Sequence, residues 1–237
     1  MLYALAHPAS LLVLLVSFVL AVTLHGWVAC LVADRTGDRR PRQEGRLKPE
    51  PQRHLDPFGA VAAGISGLGW SRPVELVARR RRGQAVAVAL SGPAVNIGLG
   101  IGLLLAWRFA FGPLGAPAGG VLALVVDQAG AGYFLQHGFP LGDTLAASAL
   151  LLAGCSQLYL GVLSLFPLPP LDGGRLLFAL APRSPGWQKA EHYLIEQNIG
   201  IAVLLALLLL PLGGSVPLLP HLLDSVLQPL VRVICGG

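Results

Sequence analysis

Four stretches of almost uninterrupted apolar residues dominate the chain, at about residues 8–33, 84–111, 143–166 and 197–212. A helix needs roughly 20 apolar residues to cross the hydrocarbon layer of a membrane. The first three stretches meet this length, and the fourth is shorter. The pattern predicts an all-α fold, a polytopic bundle of transmembrane helices that forms one membrane-embedded domain over residues 1–237.

Two further apolar stretches are shorter or interrupted. Pro57–Trp70 is rich in glycine and alanine but too short to span a membrane alone, so we expect a short re-entrant or interfacial hairpin that other parts of the protein cover. Val216–Ile234 is interrupted by Pro217, Pro220 and Pro229 and is expected to form an amphipathic or partly inserted tail. Both stretches add to the bundle without changing its class.

Basic residues are distributed unevenly between the loops. Residues 34–53 carry seven Lys or Arg and residues 72–82 carry five, whereas residues 113–143 carry none. Lys and Arg accumulate on the cytoplasmic side of membrane proteins. We therefore expect residues 34–83 to face the cytoplasm and the N-terminus to lie outside, in an integral protein of the plasma membrane of a prokaryote.

The composition narrows the classes of partner. Of the 237 residues, 54% are hydrophobic and 12% are charged, and the formal net charge is +5. The arginines flank the apolar stretches without interleaved aromatic residues, which indicates contact with the lipid bilayer and argues against nucleic acid as a partner. Within the second stretch, Gly98, Gly100 and Gly102 are expected to let a neighbouring helix pack closely.

Two ionisable residues stand out against this apolar background. His25 lies nine positions before Asp34, hence about 13 Å below the cytoplasmic boundary of its helix. Asp172 follows the third stretch on the same side, and ionisable residues inside a membrane are functional candidates because their burial is costly. Two structural interpretations stay open: His25 as a hydrogen-bonded residue of the bundle, and Asp172 as a helix N-cap or turn residue.

An ordered series of short motifs accompanies these two residues. In chain order they are Leu24-His25 with Ala33–Asp38, Gly45–Leu47, His54–Gly59, Gly69–Val74, Ser91–Asn96 and Pro167–Arg175. Their order and membrane setting resemble the site-2 protease family of intramembrane zinc metalloproteases, from about residue 8 to 212. The resemblance implies a three-helix core formed by the first three apolar stretches, with 197–212 as a further span.

The resemblance also assigns roles to individual positions. In that family an HExxH motif supplies two histidine ligands and the glutamate that acts as base, and the aspartate of an LDG motif supplies the third ligand. His25 and Asp172 match the first and third zinc ligands. Gly26 stands at the position of the catalytic glutamate, and Ala29 stands at that of the second histidine. The candidate metal site therefore keeps two ligands and has no catalytic glutamate.

The elements associated with substrate are partly retained. The family's asparagine upstream of the LDG motif, which is associated with holding the unwound substrate strand, falls at Ser164. Asn96, in a Gly-Pro-x-x-Asn motif, is kept. Together with Pro167 and Pro169, these residues are the candidates for binding a substrate or partner strand.

These departures from the family pattern bear on function. Losing one ligand should weaken zinc binding severely, and losing the base removes a proton transfer worth about 10²–10⁴-fold in rate. We therefore expect a catalytically impaired homologue, a pseudoprotease, that binds a transmembrane segment or membrane partner in a retained intramembrane cleft and holds zinc weakly or not at all. Two alternatives stay open: an active intramembrane zinc metalloprotease with a non-standard ligand set, and a membrane assembly or transport subunit.

Overall fold

The computed structural model describes residues 8–75, 82–112, 145–182, 184–211 and 217–236. These residues form an all-α protein, in which Leu55 and Ser71 make an isolated antiparallel bridge. The helices in chain order are α1 (Pro8–Arg35), α2 (Arg40–Gln43), α3 (Pro51–His54), α4 (Pro57–Ser66), α5 (Arg82–Phe111), α6 (Leu145–Ser164), α7 (Asp172–Leu180), α8 (Pro185–Glu191) with a π-helical turn (His192–Glu196), α9 (Ile199–Leu209) and α10 (Leu218–Cys235). The predicted all-α class is confirmed for the described ranges.

Three of the described helices, α1, α5 and α10, are long and apolar enough to cross a membrane. Helices α8 and α9 reach that length only as a pair, because the chain bends by 69° between Glu196 and Ile199. The stretch predicted at 143–166 forms the 20-residue α6, and the one predicted at 197–212 forms the 11-residue α9. The chain is thus a polytopic helical protein.

Helices α1, α5 and α6 form the core of the bundle, and α5 packs extensively on both of the others. A glycine lets α5 approach α6: a Cβ added at Gly100 would lie 2.7 Å from the backbone nitrogen of Leu158. Nothing in the described part of the chain lies within 4 Å of a Cβ added at Gly98 or Gly102. The expectation of close packing is therefore wrong for these two glycines, because they lie on the exposed face of α5.

The stretch expected to form a re-entrant or interfacial hairpin contains α4. Asp56 begins this helix by accepting a hydrogen bond from the Gly59 amide at 2.8 Å, and Gly67 ends it at a φ of 79°. The chain then returns along the helix, so that a Cβ at Gly59 would lie 2.4 Å from the carbonyl oxygen of Trp70. Phe58 is 55% exposed, which leaves an apolar side of this short helix uncovered.

The C-terminal helix α10 is continuous despite its prolines. Pro217 is its N-cap residue, and Pro229 lies inside it. One side of α10 is buried, as Leu223 shows, and the opposite side is exposed and apolar. On α10, Asp224 accepts a hydrogen bond from the hydroxyl of Tyr159 on α6. The stretch expected to form a tail is therefore one long helix, apolar enough to span a membrane, that a polar contact joins to the core.

Residues 36–55, here called the arginine-rich loop, fold against the end of α1. The Trp27 indole on α1 donates to the carbonyl oxygen of Leu47 at 2.8 Å. The guanidinium of Arg46 is buried and donates to the carbonyl oxygens of Pro73 at 3.0 Å and Arg72 at 2.9 Å. These bonds fix the loop against α1 on one side and against the segment that contains Arg72 and Pro73 on the other.

Candidate intramembrane site

The two ionisable residues singled out from the sequence are in direct contact. His25 lies in α1 and is 3% exposed, and its Nε2 is 2.7 Å from Oδ2 of Asp172. Asp172 is the first residue of α7, and its side chain is 16% exposed. The contact joins the first helix of the core to the segment that follows α6, across 147 residues of sequence.

The glycines of the Leu-Asp-Gly-Gly sequence hold Asp172 in this position. A Cβ added at Gly173 would lie 2.0 Å from the carbonyl oxygen of Leu165, and one added at Gly174 would lie 2.2 Å from the Pro169 nitrogen. The backbone after α6 thus lies directly on the first turn of α7. The N-cap position belongs to Leu171, so the interpretation of Asp172 as an N-cap is wrong.

The Gly-Pro-x-x-Asn motif of α5 forms the other side of the histidine pocket. Asn96 is 1% exposed, and its Nδ2 is 3.4 Å from Nδ1 of His25. A Cβ added at Gly92 would lie 2.4 Å from Nε2 of the same ring. When the Asn96 amide donates to Nδ1, Nε2 carries the proton and donates to Asp172. Gly92 therefore makes room for the imidazole, and Asn96 fixes its orientation.

Position 29, one helical turn after His25, faces apolar neighbours. Ala29 is 2% exposed and belongs to a small buried cluster. Its other members are Cys30, Ala33, Val74 and Val88. A histidine at this position is what an HExxH helix would require, and the surroundings of Ala29 are those of a packed methyl group.

Position 26 is covered by a buried histidine from the arginine-rich loop. A Cβ added at Gly26 would lie 2.8 Å from Nδ1 of His54, which is 0% exposed. Nε2 of His54 lies 3.0 Å from the carbonyl oxygen of Lys48, whereas its Nδ1 is buried without a partner in the described part of the chain. Burial lowers the pKa of His54 below its ordinary value. The ring of His54 thus occupies space that a side chain at position 26 would need.

The candidate strand-binding residues fall into different environments. Ser164 is buried, and its hydroxyl donates to the carbonyl oxygen of Leu160 in its own helix at 2.7 Å. Pro169 is buried, while Pro167 is exposed. The side chain of Asn96 is hydrogen-bonded to His25. Of the four candidates, Pro167 is therefore the one whose side chain is open to a ligand.

The His25–Asp172 pair is a candidate for zinc binding. A catalytic zinc takes three protein ligands and a water at about 2.0–2.2 Å from nitrogen and oxygen, which separates two ligand atoms by about 3.3–3.6 Å in tetrahedral geometry. His25 and Asp172 are 2.7 Å apart, at the distance of a direct hydrogen bond. Within the described ranges, no group of three or more His, Cys, Asp or Glu residues is placed to hold a metal. Among the described residues, His25 and Asp172 thus supply two of the three protein ligands that a catalytic zinc takes.

Three features of this region were missed by sequence reasoning. The first is the role of Gly92, which the sequence could have indicated because this glycine opens the Gly-Pro-x-x-Asn motif. His54 also lay within a motif, but nothing in the sequence indicated that its ring would reach Gly26. The contact between Asp224 and Tyr159 was indicated only weakly, by a carboxylate within an apolar stretch. The prolines of that stretch argued against a continuous helix, so no buried partner was expected for Asp224.

Comparisons with known proteins match most of the chain. Residues 13–207 match the profile described as peptidase family M50. The chain is 32% identical over 232 residues to "Putative zinc metalloprotease YwhC" of Bacillus subtilis (strain 168), and the match covers 94% of this chain and 93% of that protein. No solved structure matches the chain significantly.

Proposed function

We propose that this chain, which belongs to peptidase family M50, the site-2 protease family, is a pseudoprotease. In this proposal it binds a transmembrane segment or a membrane partner. The observation that carries this proposal is that Gly26 and Ala29 stand at the positions of the family's catalytic glutamate and second histidine ligand. Two side chains that match zinc ligands of the family are bonded to each other, and no third ligand is described beside them.

Two further observations support the loss of proteolysis. Gly26 has no side chain to take a proton from a nucleophilic water, and His54 covers its Cα. General-base catalysis is worth about 10²–10⁴-fold in rate. Ala29 contributes no ligand and packs among apolar residues. The relative from Bacillus subtilis is named a zinc metalloprotease, and that activity is the rival to the present proposal.

The binding function rests on the segment between α6 and α7. Leu165 is 38% exposed, and Pro167 is exposed beside it. This segment lies at the end of α6, next to the partly exposed carboxylate of Asp172. Pro167 lacks an amide hydrogen, and the amides of Leu165, Phe166 and Leu168 bond within the chain, so this segment offers a partner exposed apolar side chains instead of backbone donors. We place the docking of a partner's unwound membrane segment along residues 165–168.

Photocrosslinking tests this function. A photoreactive phenylalanine analogue at Leu165 should crosslink to a transmembrane peptide in proteoliposomes, and the same analogue at Phe109, which is 85% exposed at the far end of α5, should give only background. The peptide should stay intact. An absence of adducts at Leu165 would overturn the binding function. Cleavage of the peptide that is lost on His25→Ala would establish the protease instead.

We also propose that the protein lies in the plasma membrane with residues 34–83 in the cytoplasm, on the strength of the Lys and Arg distribution. The three native cysteines are buried, so introduced thiols can be labelled selectively. A thiol at Arg40→Cys should resist an impermeant reagent in intact cells, and one at Gly119→Cys should react. The reverse pattern would contradict this orientation.

A further inference from the structure

A polar cavity lies between the arginine-rich loop and Arg72, and neither His25 nor Asp172 lines it. Its volume is about 480 Å³, within the range of pockets that hold small ligands. It is lined by Glu44, Arg46, Glu50, Gln52, Arg53 and Arg72. Three guanidinium groups therefore share one cavity with two carboxylates, which leaves an excess of positive charge.

Arg53 is held in a fixed orientation at this cavity. Its Nε donates to the Glu50 carboxylate, and its Nη1 donates to the carbonyl oxygen of Glu44 at 3.2 Å. The guanidinium lies over Gly45, where a Cβ would be 2.6 Å from Nη1 and where φ is 69°. No partner of Nη2 is found in the described part of the chain. Both N–H groups of Nη2 on this pre-oriented guanidinium are thus left for a ligand.

Arg46 and Arg72 add positive charge that the cavity does not balance. Burial lowers the pKa of Arg46, and the like charge of Arg72 acts in the same direction. Nε of Arg46 is buried without a partner among the described residues, and Glu44 approaches its Nη1 only to 3.9 Å. Arg72 is exposed, and the described residues supply no ion pair to it. Of the two carboxylates, Glu50 is already bonded to Arg53.

We propose that this cavity is a binding site for a phosphate group. Planar guanidinium groups bind phosphate oxygens through parallel hydrogen bonds, which an ammonium group cannot reproduce. The charges that line the cavity are three Arg against two Glu, so one negative ligand balances them. The loop packs on the end of α1, a candidate membrane span, which allows two sources of the group: a phospholipid headgroup or a soluble phosphate ester.

Thermal unfolding of the purified full-length protein in detergent tests the site. A probe that carries an anionic phosphate group should raise Tm, and the ionic strength is held constant because salt screens exposed charges. Stabilisation by inorganic phosphate identifies a soluble phosphate ester as the source. Stabilisation by short-chain phosphatidylglycerol, but not by phosphatidylcholine or inorganic phosphate, identifies an anionic lipid headgroup. An unchanged Tm with every one of these probes overturns the proposal.

Two matched variants separate the site from general attraction to a basic surface. Arg72→Gln removes an exposed guanidinium that lines the cavity, and Arg40→Gln removes a partly exposed one that does not. We expect about tenfold weaker binding of the stabilising probe for Arg72→Gln, or about 1.4 kcal/mol, and unchanged binding for Arg40→Gln. Equal weakening by both variants would show unspecific electrostatics and would overturn the proposal.

Discussion

The substitution Gly26→Ala tests whether His54 closes the position of the catalytic glutamate. The added Cβ would lie 2.8 Å from Nδ1, 3.1 Å from Cβ and 3.2 Å from Cγ of His54. The imidazole cannot move away freely, because it is fully buried and bonded to the Lys48 carbonyl oxygen. Overpacking of this kind costs about 1–3 kcal/mol. We therefore expect Gly26→Ala to destabilise the protein.

Gly98→Ala is the matched control, because Gly98 also lies in a long helix and a Cβ there meets nothing within 4 Å in the described part of the chain. Replacing a helical glycine with alanine gains about 0.5–1 kcal/mol, and this gain is common to both variants. The difference between them is then the overpacking cost alone. We expect Gly26→Ala to unfold at a temperature lower than Gly98→Ala by about 3–9 °C.

A double-mutant cycle identifies the clashing partner. His54→Ala removes the ring atoms but keeps Cβ, which would lie 3.1 Å from the Cβ added at position 26, so Gly26→Ala should cost much less in that background than in the wild type. The coupling free energy between the two positions should be about 1–3 kcal/mol. Equal thermal stability of Gly26→Ala and Gly98→Ala, or additive effects in the cycle, would refute the contact between His54 and position 26.

Three other substitutions test neighbouring contacts. Gly92→Ala should destabilise the protein by about 1–3 kcal/mol in denaturant unfolding, because its Cβ would lie 2.4 Å from the His25 ring. Ala29→His should raise zinc content above that of the wild type, since it supplies a third ligand, and should also lower Tm, since the ring must enter an apolar cluster. Tyr159→Phe should lower stability by about 0.5–2 kcal/mol by removing the hydroxyl that bonds Asp224, and an unchanged Tm would contradict this.

The apolar pattern was sufficient to predict the helical bundle. Runs of apolar residues as long as those in α1 and α5 have few stable alternatives, because every backbone group inside a membrane must be bonded within its own segment. The proximity of His25 and Asp172 was also predictable, from the order of the spans and from the side of the membrane on which both residues were expected to lie. The contact at 2.7 Å agrees with that reasoning.

Contacts between distant loops could not be predicted in the same way. The ring of His54 reaches Gly26 because the arginine-rich loop folds over α1, and this depends on bonds such as that from Trp27 to the Leu47 carbonyl. The prediction that Gly98 and Gly102 pack against a neighbouring helix failed for a related reason. Spacing alone does not say which face of α5 meets α6, so Gly98 was expected at an interface and lies outside it.

The zinc content of the purified, detergent-solubilised wild-type protein tests the central claim most directly. Metal analysis should find clearly less than one zinc per chain, and the value should not change in His25→Ala, because the wild-type donor set holds only two ligands of the family pattern. One tightly bound zinc per chain that is lost in both His25→Ala and Asp172→Ala would contradict the account and would point to an active metalloprotease.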